Sequence, residues 1–182
     1  MSCVSQKPAA IFLDRDGTLM EEVHYCRDPE KVKILPGVVE GLENLRIAGY
    51  ALILVTNQSG IGRGLFSEAE YRAVHARLLE LLPPGILRGA YFCPDAPDQP
   101  SQRRKPAPGM ILEAASELGL DLTRSWMVGD KDVDCRCGRS AGVRTVLVRT
   151  GHGKEARGTE ADWVAKDFAS AVAHILNEKG VR

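Results

Sequence analysis

The sequence predicts an α/β protein in which a parallel β-sheet is covered by helices on both faces. Two observations predict it. Short runs that are apolar at every position alternate with longer amphipathic stretches, and polar clusters rich in Asp, Thr and Gly sit where several of those runs end. Strands apolar at consecutive positions belong to sheets buried on both sides. Strands alternating with helices imply parallel pairing through right-handed crossovers.

Five runs read as strands: residues 9–13, stopped by Asp14; 50–55, stopped by Thr56; 89–93; 126–128, stopped by Gly129 and Asp130; and 144–148. The stretches between them read as helices. Residues 37–48 place Val38, Leu42 and Leu45 at spacings of four and three. Residues 67–82 open with Ser67 and carry Glu70 three positions on, the pattern of a capping box. Residues 108–118 open on Pro108 and stop before Gly119, residues 132–141 stop before Gly142, and residues 167–177 form the last helix. Two irregular stretches, 20–36 and 94–106, interrupt the alternation. Both are placed as loops over a site, since neither is long enough for a second domain. The 182 residues are therefore read as one domain, 1–182.

Composition narrows the function. Lys plus Arg and Asp plus Glu both number 24, and aromatic residues make up 5% of the chain. A general nucleic-acid or membrane-surface binder would show a basic excess. Five cysteines at irregular spacings give no disulfide framework. The first ten residues hold no long apolar core of a signal peptide, and no segment approaches the ~20 apolar residues of a membrane span. The expectation is a cytoplasmic monomer acting on a small molecule, with neither nucleic acid nor membrane as a partner.

The polar clusters follow a fixed order: D-x-D-G-T at residues 14–18, T-N at 56–57, K-P at 105–106 and G-D-x-x-x-D at 129–134. Ligands of open α/β sheets bind outside the carboxyl ends of the strands, so the three clusters that follow strands, at Asp14, Thr56 and Asp130, point to one site. The order resembles the haloacid-dehalogenase (HAD) superfamily of phosphohydrolases. The resemblance implies a three-layer, Rossmann-like sheet that is essentially capless, and a magnesium-dependent phosphatase. Asp14 would attack phosphorus and form an aspartyl-phosphate. Asp16 would protonate the leaving oxygen and later activate water. Thr56 and Lys105 would stabilise the transferring phosphoryl group. Asp14, Asp130 and the Asp16 backbone carbonyl would hold Mg2+, with Asp134 orienting a metal-bound water.

The resemblance extends to substrate. TNQSGIGRG (56–64), RRKPAPGM (103–110), MVGDKDVD (127–134) and VLVRTGHG (146–153) are similar to segments of the D-glycero-D-manno-heptose-1,7-bisphosphate phosphatases. The related histidinol-phosphate phosphatases share the small capless architecture. The resemblance implies removal of the 7-phosphate of a phosphorylated sugar; histidinol phosphate or another small sugar phosphate is the alternative. A non-catalytic phospho-ligand module is a distant third reading, opposed by the intact catalytic set. Substrate contacts would fall on Glu22, Val23, His24, Tyr25, Thr56, Asn57, Gln58, Ser59, Arg104 and Lys105, with Lys131 near the phosphate. His24 is not assigned proton transfer. Arg63 and Arg104 are the candidates for a second, non-reacting phosphate.

One segment departs from that family, many of whose members carry a zinc loop reading C-x-H, then C-x-C, before R-K-P. Here the pairs read Cys93-Pro94-Asp95 and Ser101-Gln102-Arg103, so three of four ligands are replaced. A tetrahedral site needs all four, and zinc is predicted absent. Cys93 reads as a strand-end thiol. Cys135 and Cys137, two apart on a helix, do not face each other.

Overall fold

A computed structural model describes residues 7–155 and 159–180. Cys3 and residues 1–6 of the N-terminal stretch lie outside the described residues. Among the described residues, six strands form one parallel sheet in the order β3-β2-β1-β4-β5-β6. They are β1 Ala9–Leu13, β2 Ala51–Asn57, β3 Gly89–Cys93, β4 Asp121–Gly129, β5 Arg144–Val148 and β6 Trp163–Ala165. The helices are α1 Val38–Ile47, the single turn α2 Ser59–Gly62, α3 Glu68–Leu81, α4 Gly109–Leu118, α5 Asp132–Ser140 and α6 Phe168–Gly180.

The apolar runs divide between two cores because successive strand residues point to opposite faces. Ile11 and Leu13 join Leu52, Leu54, Val128 and Val146 in a core covered by α1, α3 and α6. Ala10 and Phe12 join Ile53, Val55 and Met127 in a second core under α4 and α5. Chain order along the sheet reverses between β1 and β4, so the ends of β1, β2 and β4 open onto one crevice. The predicted capping box is present: Ser67 Oγ accepts from Glu70 N at 3.2 Å, and Glu70 Oε2 accepts from Ser67 N at 2.7 Å.

Three elements depart from the sequence expectation. β4 starts at Asp121, five residues before the apolar run. Its polar beginning is tied to β1 by Ser125 Oγ, which accepts from Ala10 N at 2.8 Å, beside a register shift. β6 and α2 were not expected, since three and four residues are too short to show periodicity. Segment 20–36 is partly ordered by hydrogen bonding: Met20 bridges to Asp16 and Ile34, and a 3-10 turn spans Pro29–Lys31. Segment 94–106 is pinned where Pro94 O accepts from Gly62 N at 2.9 Å and Gln102 O accepts from Gly109 N at 2.9 Å. Neither builds a separate cap among the described residues.

Candidate active site

Asp14 follows β1, and its backbone N–H donates to Val128 O of β4 at 3.0 Å. That bond holds the first motif against the strand that delivers Asp130. Lys105 comes from the far loop. Its Nζ lies 2.6 Å from Asp14 Oδ1 and 2.6 Å from Asp134 Oδ1, and donates to Val55 O at 2.9 Å. All three side chains are buried. Asn57 positions the lysine by gripping its backbone: Nδ2 donates to Lys105 O and Oδ1 accepts from Lys105 N, both at 3.0 Å.

Oxygens of Asp14, Asp130 and Asp134 lie within 4.8 Å of one another. Burial pushes the Asp130 carboxyl up to about 8, with Asp14 and Asp134 adding to the rise. Burial also lifts Asp14 to about 6; the charge on Lys105 opposes that rise and Asp134 adds to it. Lys105 moves up despite its burial, because Asp134 and Asp14 hold it charged. Asp130 Oδ2 accepts from His152 N at 2.8 Å, while Oδ1 is buried without a hydrogen-bond partner. A cluster of hard oxygen donors, short of positive charge and with one orphaned carboxylate oxygen, fits a divalent cation. The crevice admits the cluster only because Gly17 and Gly151 have positive φ and no side chain; a Cβ at either would collide with Asp130 Oδ2.

Thr56 and Asp16 are joined by Gln58. Its Nε2 donates to Thr56 Oγ1 at 2.8 Å and to Asp16 Oδ2 at 3.0 Å. A small pocket of about 50 Å³ is bounded by Asp14, Asp16, Thr56, Lys105, Lys131 and Asp134. A wider cleft of about 240 Å³ adjoins it, with Asp16, Asn57 and Lys131 bordering both. The sizes suit a phosphoryl group and the molecule that carries it.

Of the expected substrate contacts, Glu22, Val23, His24 and Tyr25 line the cleft from one side. Asn57, Gln58 and Ser59 line it from the end of β2, with Lys131 between. Glu22 gathers two basic side chains of the rim: Lys131 Nζ lies 3.3 Å and His152 Nε2 3.5 Å from Glu22 Oε2. Lys131 moves up: burial works against its charge, but Asp14, Asp130 and Glu22 outweigh it. Tyr25 holds a left-handed φ of 49°, uncommon for a bulky side chain. Its hydroxyl pairs with Arg63 Nη1.

Arg63 and Arg104 are not among the residues lining this cleft. Arg63 borders a separate hollow with Ala96 and Asp98, and Arg104 donates to Asp95 O at 3.1 Å. Asp134 has contacts the sequence did not suggest, accepting from Lys131 N at 3.0 Å as well as pairing with Lys105. Cys93 ends β3, where its Sγ donates to Asp95 Oδ2 at 3.3 Å and lies 3.6 Å from Ser101 Oγ. Cys135 and Cys137 are buried on α5, and Cys137 Sγ donates to Ala107 O at 3.3 Å. Sequence reasoning missed Arg15 and His152, both bordering the cleft. Position x of D-x-D carries no signal of its own, and His152 reaches Asp130 through a backbone N–H.

The chain is similar to known proteins. The family model described as HAD-hyrolase-like matches residues 102–171. A D-glycero-beta-D-manno-heptose-1,7-bisphosphate 7-phosphatase of Yersinia pestis is 41% identical over 177 residues, covering 91% of this chain and 94% of that protein. A D-glycero-D-manno-heptose-1,7-bisphosphate 7-phosphatase of Thermosynechococcus vestitus is 38% identical over 193 residues, covering 95% and 98%. The crystal structure of the D,D-heptose 1,7-bisphosphate phosphatase from B. bronchiseptica, complexed with magnesium and phosphate, matches with a TM-score of 0.86 at 33% identity. That match covers 93% of this chain and 99% of the other.

Proposed function

We propose, since the chain belongs to the family of the D-glycero-D-manno-heptose-1,7-bisphosphate 7-phosphatases, that it hydrolyses the 7-phosphate of such a bisphosphate with Asp14 as nucleophile. The observation that carries the mechanism is Asp14 at the edge of a phosphoryl-sized pocket, paired to a buried lysine. Lys105 engages Asp14 Oδ1, which leaves the other carboxylate oxygen for attack on phosphorus.

As the Asp14–phosphorus bond forms, the bond from phosphorus to the sugar oxygen breaks, and Asp16 gives that oxygen its proton. Asp16 then takes a proton from the water that cleaves the aspartyl-phosphate. The Thr56 hydroxyl and the Lys105 charge, both bordering the small pocket, receive the charge that develops on the phosphoryl oxygens. Lys131, at the junction of pocket and cleft, draws the substrate anion in. Magnesium, held by Asp14 and Asp130 together with the Asp16 carbonyl that the family resemblance adds, would offset the repulsion between carboxylate and phosphoryl group.

The reading extends to a cytoplasmic monomer without zinc. No described helix is long and apolar enough to cross a membrane. Cys93 is the one cysteine left at the four zinc-loop positions, and its thiol is engaged by Asp95 and Ser101.

Steady-state phosphate release tests the substrate assignment. Both anomers of the heptose 1,7-bisphosphate and histidinol phosphate are compared in magnesium. The expected result is a higher kcat/KM for a heptose bisphosphate, with phosphate lost from position 7. A higher kcat/KM for histidinol phosphate contradicts it.

A further inference from the structure

Arg15, between the two aspartates of the first motif, is 1% exposed. An arginine removed from water is costly unless its donors are met. Two of them close on Asp16 as a fork, Nε on Oδ2 at 3.0 Å and Nη2 on Oδ1 at 3.2 Å. Nη2 also donates to Gln58 Oε1 at 3.2 Å, and Gln58 Nε2 donates to Asp16 Oδ2. Behind the fork, the guanidinium carbon lies 5.2 Å from the ring centroid of buried Tyr71 on α3. The Tyr71 ring packs in turn on Phe92 of β3, with centroids 4.4 Å apart.

This arrangement is not the most stable way to fill the space. Nη1 is buried with no hydrogen-bond partner, and an unmet buried donor is destabilising. Apolar side chains often replace buried ion pairs with no loss of stability. What the cation does provide is a single orientation for one carboxyl. Asp16 Oδ2 carries two donors and Oδ1 only one, so the two oxygens are not equivalent.

We propose that Arg15 is the positioning residue of the acid–base carboxyl, clamping Asp16 so that Oδ1 carries the transferred proton. The inference rests on the acid–base role proposed above for Asp16. In the first step the proton passes from Oδ1 to the oxygen leaving phosphorus, and in the second a water proton returns to Oδ1. A sugar oxygen leaves as a basic alkoxide unless it is protonated, so the first step depends on the clamp. A p-nitrophenolate leaves without a proton, so there the first step does not.

The test is the rate at which Asp14 is phosphorylated, measured by rapid quench in magnesium. Donors are the heptose bisphosphate and p-nitrophenyl phosphate; proteins are the parent, Arg15→Met, Arg15→Lys and Asp16→Asn. In Arg15→Met the sugar phosphate should react about 10-fold or more slowly, and the aryl phosphate within about threefold of the parent. Arg15→Lys, which keeps the charge without the fork, should fall between. Half-saturating substrate should change by less than about threefold. Equal slowing on both donors, or on neither, overturns the inference. If thermal melting shows Arg15→Met unfolded, Arg15→Lys is judged by the same contrast. Asp16→Asn separates the two claims. Should it show no contrast between donors, the role of Asp16 falls and the inference with it. Should it show the contrast while the Arg15 variants do not, only the inference falls.

Discussion

Lys105 Nζ lies 2.6 Å from Asp14 Oδ1, with both side chains closed off from solvent. The same ammonium meets Asp134 at 2.6 Å, so one lysine offsets two carboxylates. Removing one member of such a buried network leaves the others uncompensated, which costs far more than the network contributes as a whole.

Lys105→Met therefore combines two losses. Stability should fall by roughly 3–5 kcal/mol as the buried carboxylates lose their partner, and kcat by about 100-fold or more as the phosphoryl charge loses its stabiliser. Adding Asp134→Asn should recover part of the stability and none of the turnover. Urea unfolding and phosphate release read the two effects separately.

Asn57→Ala should act through Lys105. Both side-chain bonds to the Lys105 backbone disappear, which costs about 1–3 kcal/mol. A lysine no longer seated against Asp14 should lower kcat more than it raises KM. Steady-state kinetics on a phosphomonoester with denaturant titration checks this; a rise in KM alone would instead mark Asn57 as a substrate contact only.

The folded carboxyls of Asp14 and Asp130 titrate near 6 and 8, above the ordinary value of 3.8. Raised acids contribute stability that is fully present below the ordinary carboxylate value and is lost as pH rises through the folded one. Lys105 and Lys131 stay charged across this window and add nothing to the slope. The metal-free protein should thus lose stability between about pH 4 and 8, while a cation that needs ionised ligands binds better as pH rises. Magnesium should raise Tm by roughly 5 °C more at pH 8.5 than at pH 5.5. A magnesium effect that shrinks with pH would refute this account of the acidic cluster.

Gly17 has a φ of 80°, and a Cβ there meets Asp130 Oδ2. Gly17→Ala should cost about 1–3 kcal/mol through backbone strain and displace the carboxylate. The magnesium concentration for half-maximal activity should rise about 10-fold or more. A magnesium titration of initial rates measures it.

Much of this was legible in the sequence because parallel strands end where chemistry is placed. Asp14, Thr56 and Asp130 each follow an apolar run that became β1, β2 or β4, and the topology brought those ends together. Lys105 was legible from its motif, but its partnership with Asp134 was not. The two are joined only when α4 and β4 return the chain to the crevice. The Asn57 amide, expected on substrate, is committed to the backbone of a loop 48 residues away. Arg15 was not legible, because position x of D-x-D carries no signal of its own; its enclosure against Asp16, Gln58 and Tyr71 exists only in the folded chain. The start of β4 was missed because its hydrogen bonds are made by polar residues. β6 was too short to carry a pattern.

The central claim is that Asp14 becomes covalently phosphorylated. Acid-quenched enzyme, mixed with a radiolabelled phosphomonoester in magnesium, should carry label on the peptide containing Asp14. Asp14→Asn, folded by its thermal melt, should carry none and release no phosphate above background. Label on another residue, or full turnover in Asp14→Asn, would contradict the account.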